Sequence, residues 1–224
     1  MSDMKSKRID RVLLLSGLLG VLGNVLGVAF LYNVPTAYRV GSIDAWASGV
    51  FAHPSQVNAS AVSFTLGLIA LAVFGLTLSE HLGTRLARTG GWIFAMGCLA
   101  NAVGTVTPLV LATHTGVGLE VMPVARALLG VTLTLDALFN LTLGVGLILM
   151  GIRWPPGGSV LRWLAIVSGA ASLPVAAQAF YDPASDVLRF SGPLWLAFVL
   201  ISAFRRWPEA DAGMYQHRTK EMAR

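Results

Sequence analysis

Six apolar stretches, near residues 12–33, 60–80, 91–113, 126–152, 160–181 and 188–206, run through this chain of 224 residues. A helix needs about 20 mainly apolar residues to cross roughly 30 Å of hydrocarbon, and each stretch approaches or exceeds that length. The charge content agrees: 12% of the residues are charged, against about 25% in ordinary soluble domains, and the mean hydropathy is +0.69. The expected fold is therefore all-α, a single polytopic membrane bundle of six transmembrane helices over residues 1–207, followed by a polar tail over 208–224. The sixth stretch is the shortest, because its uncharged core runs only from Phe190 to Phe204 and contains Pro193. Snorkelling of Arg189, Arg205 and Arg206 to the interfaces extends it to a sufficient length.

The basic residues orient the bundle. With a cytoplasmic N-terminus, the inner segments hold Lys5, Lys7, Arg8, Arg11, Arg85, Arg88, Arg153, Arg162, Arg205, Arg206, Arg218, Lys220 and Arg224, and the outer ones hold Arg39, Arg126 and Arg189. That bias is the one the positive-inside rule requires, and it predicts that both termini are cytoplasmic. It also accounts for the isoelectric point near 9.9 without nucleic acid, since the basic side chains are not gathered on one face. The start, MSDMKSKRIDR, has the basic character of a signal peptide, but the apolar stretch behind it is too long and no small-residue cleavage site follows, so it is expected to stay attached as the first helix. The long connection at 34–59 lies outside in this topology, and its Tyr38, Trp46 and Phe51 suit a segment lying flat in the headgroup layer. The lone Cys98 excludes an intrachain disulfide and a cysteine-rich metal site.

Polar residues at mid-depth are the candidate site. At 1.5 Å of rise per residue, Asn24, Asn101, Asp136 and Asn140 all fall within about 5 Å of the bilayer midplane. Thr132, Asp136, Asn140 and Gly144 recur every four residues and so share one side of the fourth stretch. Gly97, Asn101 and Thr105 do the same on the third, while Gly23 and Gly27 in the first form a GxxxG pattern suited to close helix contact. An aspartate at the centre of a spanning helix costs about 2.5–3.5 kcal/mol on insertion scales and turns to the bundle interior. The expected arrangement brings the first, third and fourth helices together, with Asp136 bonded to Asn24, Asn101 or both. With no Lys or Arg at that depth, desolvation favours the neutral carboxyl.

Two functional readings stand. In one, Asp136, Asn140, Asn101, Asn24, Thr132 and Thr105 line a site for a proton or for a small lipophilic or cationic ligand, as intramembrane ionisable residues do by default. In the other, the cluster is interhelical glue in a structural or regulatory subunit, a homo-oligomer or a partner of another membrane protein, at about 0.6 kcal/mol per hydrogen bond. The expectation is non-enzymatic. Acid–base chemistry needs a second carboxylate, His or Lys near the first, no phosphate-binding, metalloprotease or nucleophile-elbow motif occurs, and the spans carry no lysine for a retinal Schiff base. No cofactor and no metal are expected, because His53 and His114, which could otherwise join Glu120 around an ion, lie on separate outer segments without ligand spacing. Glu80 and His81 end the second stretch as solvated boundary residues or a proton entry point. Gln178, Tyr181 and Asp182 close the fifth stretch, as boundary residues or as the mouth of a cavity.

The glycine-rich "LLSGLLGVLGNVLG", the outer stretch after it, the aspartate in "LDALFNLTLGVGLILMG" and the opening "LRWLAIVSG" resemble uncharacterised bacterial six-helix membrane proteins of the domain of unknown function 4386 type. The likeness covers most of the chain and implies a multi-pass protein of the bacterial inner membrane. It implies no activity.

Overall fold

In a computed structural model the described residues are 2–31, 34, 43–113, 122–155, 158–179, 181 and 187–205. Tyr38, Arg39, His114, Glu120, Asp182, Arg206 and the tail from 208 lie outside them. Every described element is helical: α1 (Ser2–Phe30), α2 (Ile43–Ala52), α3 (Pro54–Leu82), α4 (Arg85–Thr113), α5 (Met122–Ile152), α6 (Ser159–Ser172), a 3-10 segment (Pro174–Ala179) and α7 (Leu188–Phe204). Five segments are long and apolar enough to cross a membrane, namely Asp10–Phe30, Pro54–Leu82, Arg85–Thr113, Met122–Ile152 and Ser159–Gln178, while Phe190–Phe204 is a shorter apolar helix. The chain is thus a multi-pass helical membrane protein by helix length and hydropathy. Against the six expected spans, the sixth falls short of the length criterion because α7 has 17 residues, about 26 Å at 1.5 Å per residue.

Each long helix packs on the next, α1 on α3, α3 on α4, α4 on α5, α5 on α6 and α6 on α7, and α7 returns to α1 to close the ring. Large apolar side chains line its interior. Phe74, Phe94 and Phe198 are fully buried beside Leu71, Leu143 and Leu147, and Trp154 and Trp195 meet Phe198 and Phe139 edge to face at 5.8 and 6.3 Å, a favoured geometry for aromatic pairs.

Local chemistry sets the turns and contacts. Gly83 takes φ +66°, a left-handed conformation that side chains disfavour, and its N–H bonds Ser79 and Glu80 carbonyls at 3.2 and 3.1 Å to end α3. Thr84 Oγ1 then accepts from Ala87 N–H at 3.2 Å and starts α4, the usual task of a threonine at that position. The GxxxG expectation holds at Gly23, where an added Cβ would stand 2.6 Å from Gly67 Cα on α3. Ser60 Oγ donates across the same interface to Gly27 O at 2.9 Å.

The connection at 34–59, expected to lie flat in the headgroup layer, contains a helix, α2, which buries Trp46, Ala47 and Val50 in a second apolar cluster with Val57, Leu111, Ala125 and Leu129. An exposed Arg126–Asp44 pair, bonded through Nε at 2.6 Å and Nη2 at 3.0 Å, ties α2 to the start of α5. The fifth span is also not one continuous α-helix. Pro174 has no N–H for the carbonyl of Ala170 and its ring crowds the preceding turn, so α6 stops at Ser172 and the chain continues as 3-10 turns to Ala179.

Candidate functional site

Asp136 lies near the middle of α5 and is partly exposed. Three amides converge on its carboxylate. Asn101 of α4 donates through Nδ2 to Oδ1 at 2.9 Å. Asn140, one turn on along α5, donates to the Asp136 carbonyl at 2.9 Å and to Oδ2 at 3.4 Å. Gln178 of the 3-10 segment donates through Nε2 to Oδ2. One carboxylate thereby links α4, α5 and the broken end of the α6 segment.

The surroundings are uncharged. On the elements that pack on α5, the charged side chains are Asp44 of α2, Arg85 and Arg88 of α4 and Arg162 of α6, all near helix ends, and the 3-10 segment has none. Along α5 itself the other charged residue is Arg126, near its start and paired with Asp44. The carboxylate therefore has amide donors and, among the described residues, no cationic neighbour. Two acceptors beside it lack donors among the described residues: Asn140 Oδ1 and Gln178 Oε1 are buried without hydrogen-bond partners there, although the nitrogens of the same amides reach Asp136.

Of the expected site residues, the structure unites Asp136, Asn101 and Asn140. Asn24 is elsewhere: it is buried where α1 packs on α3, and its Nδ2 donates to Gly20 O at 2.9 Å in its own helix. The meeting of the first, third and fourth spans at Asp136 is replaced by a meeting of α4, α5 and the 3-10 segment, because the ring order sets α1 against α3 and α7. Thr105 turns towards α3, where its hydroxyl lies 2.6 Å from that of Thr65. Thr132 donates to Gly104 O at 3.1 Å. That carbonyl is four residues before Pro108, which sits inside α4 without an N–H to offer it, so Thr132 supplies the missing donor.

No family model, curated protein or solved structure matches the chain. What the site can do therefore rests on its own geometry.

Gln178 is the member that depth along the sequence misplaced. Counted along its own stretch it falls near the boundary, yet α5 has 31 residues and runs about 46 Å, longer than the hydrocarbon layer. Its middle is level with the end of the shorter Ser159–Gln178 segment. The available signal was Pro174, four residues earlier, which marks a helix break from which a polar side chain can turn inward.

A cavity of about 450 Å³ opens between α2 and α5, walled by Ile43, Gly130, Val131, Leu133, Thr134 and Leu135 among others, and Asp136 is not one of its walls. At the opposite end of the bundle His81 Nε2 lies 3.3 Å from Asp10 Oδ1 and Arg88 3.4 Å from Glu80, remote from Asp136. Among the described residues no group of three or more His, Cys, Asp or Glu side chains could hold a metal ion.

Proposed function

We propose that this membrane protein crosses the bilayer six times with both termini cytoplasmic, and that Asp136 is an intramembrane binding group for a proton or a small cation. The single observation that carries the reading is an ionisable carboxyl in the body of the bundle, held by three amides on three elements and facing no described cation. An ionised carboxylate without a partner is costly in hydrocarbon, so the group is stable when it carries a proton or meets a cation. Amide donors keep its position in either form. The packing role is the second reading, supported by the Asn101–Asp136 bond that ties α4 to α5. Kinship with the 4386-type family is part of the proposal, resting on the glycine-rich first span and the aspartate-bearing fourth.

The test is chemical. A hydrophobic carbodiimide modifies neutral carboxyls in apolar surroundings, and peptide mapping by mass spectrometry should find Asp136 modified in the membrane-embedded protein, with less modification as pH rises. Asp136→Asn should remove the adduct. An Asp136 that stays unmodified at every pH would leave only the packing role.

A further inference from the structure

We infer that the Asp136 carboxylate, Asn140 Oδ1 and Gln178 Oε1 form a site for a dehydrated monovalent alkali cation. The inference rests on Asp136 being a binding group, as proposed above, and names its ligand.

The two amide oxygens carry it furthest. Asn140 and Gln178 are 1% and 0% exposed, and in folded proteins buried polar atoms are almost always paired. Here two unpaired acceptors belong to amides that already touch one carboxylate. What the cluster lacks is positive: the Asn140 and Gln178 nitrogens are engaged, and the oxygens of the same two amides are not. Gln178 also lies beyond a helix break, in the 3-10 turns that follow the end of α6 at Ser172. Broken helices deep in a bilayer hold small cations in this way, with backbone and side-chain oxygens at the break.

Charge and size select the ion. Asp136 supplies one negative charge and the elements packed on α5 carry no other charged group near it. A monovalent cation leaves the site neutral, as a proton does, whereas a divalent ion would leave a net positive charge in hydrocarbon, which burial strongly opposes. The donors are all oxygen, which suits hard cations and not the metals that choose sulfur or imidazole. An organic ammonium would have to part the Asn140 and Gln178 amides from the carboxylate they touch, whereas a bare ion makes the smallest demand on space.

The experiment uses the full chain in lipid nanodiscs, with sodium chloride titrated against choline chloride at constant ionic strength. Thermal unfolding should show a saturable rise in Tm with sodium and none with choline, and sodium should protect Asp136 from the carbodiimide. Asp136→Asn should lose the sodium response, and Gln178→Met, which keeps the bulk and removes Oε1, should raise the half-saturating sodium concentration about tenfold or more. Equal responses to sodium and choline, or a sodium response retained in Asp136→Asn, would overturn the inference, the first meaning that water alone fills the space. Asp136 that is labelled but not protected by sodium keeps the proton reading and rejects the ion, while neither labelling nor a sodium effect rejects both. The wild-type protection assay needs no variant, so a misfolded Gln178→Met leaves the inference open to refutation.

Discussion

Asp136 shows how one acid can be held in an apolar bundle without a counter-charge. Its two carboxylate oxygens accept from Asn101, Asn140 and Gln178, so removing the acceptor injures its donors more than itself. Asp136→Leu should leave the Asn101 and Gln178 amides unsatisfied, at about 1–3 kcal/mol each. Thr105→Ala, which deletes the hydroxyl contact with Thr65, should cost about 0.6 kcal/mol, the average for an interhelical bond in a membrane. Thermal unfolding in detergent compares the two directly. A Leu variant no less stable than the Thr105 variant would mean that the amides find other acceptors and that the cluster contributes little to packing.

Helices here approach each other through missing side chains and are interrupted by missing donors. At Gly23 the α1–α3 approach is so close that an added methyl would meet backbone on the facing helix. Gly23→Leu should therefore force α1 away from α3 and cost several kcal/mol, since overpacking typically costs about 1–3 kcal/mol and more where backbone must move. Gly130 offers the control, because nothing lies within 4 Å of the Cβ it lacks. Gly130→Ala should raise stability by up to about 1 kcal/mol through helix propensity. If both substitutions shift the unfolding midpoint alike, the close α1–α3 contact is absent in the bilayer. The prolines act in the opposite sense. Pro108 leaves a carbonyl that Thr132 satisfies, and Pro174 unwinds the chain into the segment that delivers Gln178.

For the molecule as a whole, the ring of α1, α3, α4, α5, α6 and α7 has two distinct ends. One is capped by α2, whose Trp46, Ala47 and Val50 are buried against the bundle, and the other carries the tight Gly83–Thr84 turn. The arginine bias predicts that the α2 end is outside. A membrane-impermeant thiol reagent applied to intact cells should label Ser48→Cys, an exposed position on α2, and should label Arg88→Cys only after permeabilisation. The native Cys98 is fully buried and does not interfere. The reverse pattern would invert the topology.

Hydropathy and stretch length were enough to fix the class of this protein, because the bilayer imposes both on every crossing helix and reads few other properties. The sequence also determined which residues had to be buried among polar partners. Asp136 and Asn140 share a helix side by the four-residue spacing alone, and Asn101 met them as expected, since α4 and α5 are consecutive antiparallel neighbours joined by a short connection. Gly23 declared its close contact for the same local reason. Helix packing settled the rest. Asn24 looked equivalent to Asn101 by depth, yet ring order sets α1 against α3 and α7, and depth carries no information on which helices are adjacent. Gln178 looked like a boundary residue because position along one stretch does not give level relative to a longer helix beside it. Pro174 marked a break, but where the chain beyond it would turn depended on packing against α5, a contact between residues 42 apart in sequence.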